Sequence, residues 1–137
     1  MTYADVRWAR CDVKAIALVT NVMAKQYAVS RGAFEAIFVR DGALTEGAHT
    51  NVFGVIDGVI RTYPRSQYIL PGVTREVVLE VAEERGYTVS ELPIMAEDTS
   101  RLEELFFTGT ATDVLPVVTL DGRPVADGSP GPIARGL

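Results

Sequence analysis

The chain has 137 residues, 47% of them hydrophobic and 23% charged, with a formal net charge of −5 and a single cysteine, Cys11. That length and balance fit one globular domain with a buried core, and the acidic excess, with Lys and Arg scattered singly, excludes a nucleic-acid footprint. One cysteine excludes an internal disulfide framework or a clustered-cysteine zinc site, so Cys11 reads as a small buried apolar residue. No apolar run approaches a membrane span, and the opening MTYADVRWAR carries an acid and arginines where a signal peptide needs an apolar stretch; no membrane partner and a cytoplasmic location are expected.

In chain order, DVRWARCDVKAIAL reads as a strand that leads into the helix TNVMAKQYAVSRGA, with Thr20 as N-cap and Gly32 just past the end. FEAIFVR and HTNVFGVI are joined through the Asp41-Gly42 turn, and VIRTY follows the Asp57-Gly58 turn, which gives three consecutive antiparallel strands. GVTREVVLEVAEERGYT places Val77, Val78, Val81 and Ala82 on one helical face and stops at Gly86. TVSELPIM is then a strand, AEDTSRLEE a short helix, LFFTGTATDVLPVVTLDG a strand interrupted by small residues, and GRPVADG a closing turn and strand. Residues 127–137 read as a loose tail. The sum is a mixed α/β domain without repeats.

Four places do not fit simple packing. Glu46 lies in the stretch EGAHT, beside the chain's only histidine, His49, and just ahead of an apolar run. Lys14 lies among apolar neighbours, where it is either a snorkelling side chain or a desolvated amine of the kind that forms a Schiff base. LPGVTREVV starts a helix whose first amides have no internal partner, so Thr74 is either an ordinary N-cap or part of an anion site. In FFTGTATD, Gly109, Thr110 and Ala111 make either a β-bulge or an opening where a ligand approaches backbone. A nucleophilic lysine, an inward acid and two anion-type loops together make up a protein's share of pyridoxal-phosphate chemistry. The lysine holds the cofactor and shuttles a proton, the loops hold its phosphate, and the acid keeps the pyridine nitrogen protonated.

The blocks Glu46-x-Ala48-x-x-Asn51-Val52-Phe53, Ile60-x-Thr62 and Leu70-x-Gly72-Val73-x-Arg75 resemble the motif of the fold-type IV (class IV) pyridoxal-phosphate aminotransferases at every specified position. RWARCDVKAIALVTNVMAKQYA is similar to the lysine segment of the D-amino acid aminotransferases, and LFFTGTATDVLPV to their second phosphate loop. The resemblance implies an α/β fold with a mixed, partly barrel-like sheet flanked by helices, the larger C-terminal domain of that architecture, over residues 1–137. It implies pyridoxal 5'-phosphate as cofactor, Lys14 as the Schiff-base lysine, Glu46 as partner of the pyridine nitrogen and Leu70 as the residue packed on the ring. Val73, Thr74 and Thr110 match phosphate contacts, and the amides around Thr110 and Ala111 match the substrate-carboxylate position. Asn51 matches a structural position of the motif. His49 is open between loop packing and substrate contact.

The activity implied is transamination between an amino acid, by spacing a D-amino acid, and a 2-oxo acid, in a homodimer of full-length chains. Branched-chain aminotransferases and aminodeoxychorismate lyases share the Glu46 and Gly72-Val73 blocks and stand as alternatives, and so does a non-catalytic domain retained for cofactor binding or partner association. The family's N-terminal domain, with a phosphate-binding arginine, is expected to be absent, since the lysine segment lies at the very start of this chain.

Overall fold

The computed structural model describes residues 1–137. In chain order it contains β1 (Thr2–Ala4), helix α1 (Val19–Val29), β2 (Ile37–Arg40), β3 (Ala43–Gly47), β4 (Asn51–Ile56) and β5 (Val59–Thr62). Helix α2 (Val73–Glu84), β6 (Thr88–Ser90), β7 (Ile94–Met95), a 3-10 helix over Ala96–Arg101, β8 (Glu104–Gly109) and β9 (Asp113–Pro116) follow. A small hairpin, β10 (Thr119–Leu120) with β11 (Arg123–Pro124), and the short helix α3 (Pro132–Gly136) end the chain.

The sheet has two arms. One runs β1-β2-β3-β7, with β1 parallel to β2 and the other pairs antiparallel. The second runs β6-β5-β4-β8-β9, with only β5 and β6 parallel. The arms meet where β3 pairs with β4 at Glu46 opposite Asn51. The strand order does not close into a barrel, which limits the partly barrel-like expectation to a mixed sheet flanked by helices.

Apolar residues explain the layering. Leu44, Ile56, Ile94, Leu102 and Phe107 form one buried cluster with residues of both arms. On the second arm Phe53, Ile60 and Phe106 pack against Val78 and Ala82 of α2 and Ala134 of α3, with the Phe53 and Phe106 rings stacked at 5.2 Å. On the first arm Phe38 and Ala36 pack against Ala24 and Ala28 of α1. Every residue of β4 is buried, as a strand paired on both edges and covered on both faces must be.

Several expectations change. Asp41-Gly42 and Asp57-Gly58 do form turns with positive φ throughout, but the first joins β2 to β3. There are therefore four consecutive antiparallel strands, and Glu46 stands in a strand rather than a loop. DVRWARCDVKAIAL, residues 5–18, holds no strand, since β1 ends at Ala4 just before it: the Asp5 amide still bonds the Val39 carbonyl, but the Arg7 carbonyl accepts from the Arg40 guanidinium and the Cys11 N–H donates to the Gln67 carbonyl. Helix α1 begins at Val19 after Leu18, with no side-chain cap, so Thr20 lies inside it. Pro93 lies between β6 and β7, which pair with different arms, so TVSELPIM is two strands. The TGTATD interruption is the turn of the β8–β9 hairpin.

On α2, Val77 is half-exposed while Arg75 is fully buried. Its guanidinium donates to the Tyr63 carbonyl at 2.9 Å and to the carboxylates of Glu76 and Glu91, which satisfies the charge that burial would otherwise penalise. Residues 127–137, expected to be loose, carry α3. Glu104 Oε1 and Oε2 accept the Ile133 and Ala134 N–H groups at 2.9 Å each, an acid at a helix start where free amides point. No helix is long and apolar enough to cross a membrane.

Candidate active site

The junction of the two arms opens into a cavity of about 380 Å³. Glu46, at the end of β3, is buried at its base, and the segment before α1, the β3–β4 turn, the start of α2 and the end of β8 form the walls. Lys14, Glu46, His49, Leu70, Val73, Thr74 and Thr110 all line it; Ala111 shares the β8–β9 turn but not the cavity wall. Residues from four separate stretches of sequence thus converge on one space.

Glu46 is held from two sides. Its Oε1 accepts Arg7 Nη1 at 2.5 Å, and its Oε2 accepts the Leu70 N–H at 2.9 Å and Asn51 Nδ2 at 3.3 Å. Asn51 also donates to the Leu70 carbonyl at 2.9 Å, so one amide side chain ties the acid to the loop before α2. Burial pushes the Glu46 carboxyl up, to about 7, because desolvation outweighs the Arg7 charge and the hydrogen bonds that act the other way. Arg7 is itself buried, lies over the Phe38 ring at 4.0 Å and donates to Asp5 at 2.9 Å. Burial works against the Arg7 cation, but Asp5 and Glu46 win and raise its pKa. At Asp5, burial is outweighed by the Arg7 and Arg40 guanidinium groups, which hold the carboxyl below its ordinary value.

Lys14 is exposed rather than desolvated. The chain has one other lysine, Lys25, whose ammonium donates to the Phe34 carbonyl and lies 3.8 Å from Glu35; Lys14 is the lysine on the cavity. Leu70 is half-buried and Val73 exposed. The cap of α2 is Gly72, with no side-chain cap hydrogen bond, so Thr74 is not the N-cap and the first amides of the helix are not covered by a side chain. Gly72 is required by space: a Cβ there would lie 2.5 Å from Asn51 Oδ1.

The hydroxyls of Thr50 and Thr108 are buried without a hydrogen-bond partner, and both residues line the cavity. Buried hydroxyls are normally paired, so these two mark a place for a polar ligand. Reading the sequence missed Arg7, Thr50 and Thr108. The available signal for Arg7 was the alternation Asp5-Val6-Arg7, in which an exposed Val6 puts both charged neighbours inward. Nothing in the sequence marks the two threonines apart from others.

A mixed sheet flanked by helices, with a lysine and a buried acid on one cavity, defines a class: the chain belongs to the amino-transferase class IV family, whose pattern matches residues 2–120. Over all 137 residues it is 41% identical to a D-alanine aminotransferase of Bacillus licheniformis and 42% identical to one of Staphylococcus aureus (strain COL). The chain spans about half the length of these curated relatives, 48% and 49% respectively. Among solved structures, the branched-chain aminotransferase from the archaeon Thermoproteus uzoniensis with norvaline matches with a TM-score of 0.87 and 34% identity, over 97% of this chain and 47% of that one. The branched-chain amino acid aminotransferase from Escherichia coli matches with a TM-score of 0.84 and 30% identity, over 98% of this chain and 49% of that one.

Proposed function

We propose that this chain is the cofactor-binding part of a pyridoxal-phosphate-dependent aminotransferase that exchanges an amino group between a D-amino acid and a 2-oxo acid. The observation that carries the reading is that Lys14, the one lysine on the cavity, and Glu46, its one buried carboxyl, line the same space from different elements. Identity of 41–42% to D-alanine aminotransferases, against 30–34% to the branched-chain structures, favours the D-amino acid substrate.

The residues present fit the cofactor. The cavity offers an amine, an acid, uncapped helix amides and unpaired hydroxyls, the donor set that an anionic, nitrogen-containing ring with a phosphate requires. When bound, pyridoxal phosphate supplies an electron sink that makes the bond between the substrate α-carbon and its hydrogen acidic.

In this reading Lys14 Nζ attaches the cofactor and afterwards takes and returns the proton of the substrate α-carbon. Glu46 holds a proton at the ring nitrogen; a carboxyl poised near neutrality is suited to share it. Leu70 packs on the ring while its backbone steadies Glu46. The amides at Val73 and Thr74 and the Thr110 hydroxyl bind the phosphate, and the turn at Thr110 and Ala111 faces the substrate carboxylate. The reading includes association as a homodimer. Val13, Ile16, Leu18, Val19 and Val22 form exposed apolar surface beside the cavity, of the kind such an assembly covers.

The test is the visible absorbance of the chain and of Lys14→Ala after addition of pyridoxal phosphate, followed by borohydride reduction and mass spectrometry. A band in the parent, lost in the variant, with the label on Lys14 supports the proposal. A label on Lys25, or a band unchanged in the variant, overturns it.

A further inference from the structure

We propose that Arg7 is a positioning residue for the cofactor: its guanidinium, locked against Glu46 Oε1, keeps that acid anionic so that the proton they share stays on the ring nitrogen. The ring nitrogen as partner of Glu46 rests on the transaminase reading, whereas the hold of Arg7 on Glu46 rests on the geometry below.

Arg7 has no freedom to turn away. Its Nε and Nη2 donate to the two Asp5 oxygens at 2.9 Å each, Nη2 also donates to the Tyr68 carbonyl at 3.1 Å, and the guanidinium carbon lies 4.0 Å from the centre of the Phe38 ring. Nη1 is left to donate to Glu46 Oε1, at 2.5 Å. Asp5 is gripped in turn by Arg40 Nε at 3.2 Å, and Arg40 Nη2 donates to the Arg7 carbonyl at 3.0 Å. The Arg7 and Glu46 side chains are almost wholly out of solvent, where a neighbouring charge is little screened.

The charges set the balance of the cluster. Arg7 and Arg40 are cations and Asp5 is an anion, so the group is neutral only when Glu46 is ionised. The Cys11 thiol beside them adds no charge, because burial raises its pKa. Lys14 and His49 line the same cavity, but neither forms an ion pair with Glu46.

The acceptors set the place. Glu46 Oε2 already accepts from the Leu70 N–H and Asn51 Nδ2, while Oε1 accepts from Arg7 alone. A carboxylate has about four lone-pair sites, so the free one is on Oε1, the oxygen that Arg7 holds. A proton shared between Oε1 and a ring nitrogen has two positions. Burial favours the neutral acid, with the proton on oxygen; an adjoining guanidinium favours the carboxylate, with the proton on nitrogen. In the empty cavity burial is the larger influence and puts the carboxyl at about 7, with the Arg7 charge the largest influence against it. Without Arg7 the carboxyl would stand higher and keep the proton.

The experiment is nitrogen NMR of the full 137-residue chain loaded with pyridoxal phosphate 15N-labelled in its ring, in the parent, Arg7→Gln and Arg7→Lys. At neutral pH the parent is expected to show a protonated ring nitrogen. In Arg7→Gln the ratio of nitrogen-bound to oxygen-bound proton should fall about tenfold or more, the effect of one opposite charge in contact. Arg7→Lys, which keeps the charge, should recover most of that ratio. An unchanged ring signal in Arg7→Gln overturns the proposal, as does an Arg7→Lys signal no different from that of Arg7→Gln. The empty chain supplies a reading that needs no cofactor. There the 13C carboxyl signal of Glu46, identified by its loss in Glu46→Gln, should keep its proton to higher pH in Arg7→Gln than in the parent, and coincident titrations overturn the proposal. Should Arg7→Gln fail to fold, the loaded parent decides: a Glu46 carboxylate beside a protonated ring nitrogen supports the proposal, and a protonated carboxyl beside an unprotonated nitrogen overturns it. Lys14 left unlabelled by the cofactor overturns the transaminase reading alone, since titration of the empty chain still tests Arg7.

Discussion

Arg7 and Glu46, 39 residues apart in the chain, meet at 2.5 Å with both side chains almost entirely out of solvent. The contact joins the segment before Lys14 to the strand junction at the base of the cavity. It also sets the charge there, because Arg7 answers both Asp5 and Glu46.

Removing Arg7 leaves the buried Glu46 carboxyl without its cation and Asp5 with Arg40 alone. Arg7→Met should cost about 3–5 kcal/mol of unfolding free energy, the range for breaking a buried ion pair from one side. Adding Glu46→Gln to that variant should restore much of the loss, because Asp5 still has Arg40 and no carboxylate is then left unpaired. Urea unfolding of the single and double variants checks this; a single variant as stable as the parent would show that the contact carries no weight.

Glu46 makes stability depend on pH. Its carboxyl is raised in the folded chain from 4.5 to about 7, so the folded state binds this proton more tightly than the unfolded state. The associated stability is fully present below about pH 4.5 and is lost as pH rises through about 7. Asp5, lowered in the folded chain, acts only at more acidic pH. Denaturation midpoints measured from about pH 5 to about pH 8 should therefore fall in the parent, and the slope should flatten in Glu46→Gln. A parent with no slope in that window contradicts the assignment.

Gly72→Ala puts a methyl group 2.5 Å from Asn51 Oδ1. Asn51 must shift, and it is the residue that ties Glu46 to the Leu70 loop. The substitution should destabilise the chain by about 1–3 kcal/mol, the usual cost of overpacking. In the absorbance assay it should also weaken the cofactor band, and an unchanged band together with unchanged stability would show that the loop yields freely.

Glu104→Ala removes both acceptors for the first turn of α3. Expected losses are about 1–3 kcal/mol where those amides are left without partners. Hydrogen exchange and limited proteolysis should show faster opening of residues 127–137, with the β4–β8 pairing unaffected. Unchanged protection of the tail would mean that Ala134 packing alone holds it.

Features that depend on local chemistry are legible in residue order alone. Asp-Gly pairs force the turns at Asp41 and Asp57 because both positions take positive φ; the periodicity of residues 73–84 makes α2; and the blocks around Glu46 and Gly72 carry the family resemblance in residue identity alone. Features that depend on distant partners emerge only when the chain folds. Whether Glu46 stands in a loop or a strand turned on β3 pairing also with β4 at Glu46 and with the distant β7, a contact that no local pattern encodes. Arg75 reads as the polar face of a helix, yet it is buried because Glu76, Glu91 and the Tyr63 carbonyl converge on it. The tail reads as loose because its anchor, Glu104, lies far back in the chain. Lys14 was recognisable by its neighbours, but its exposure belongs to the fold, in which residues 13–19 are all exposed. Side-chain charge and hydrophobicity are properties of a residue; burial, pairing and pKa are properties of its surroundings, and only folding supplies those.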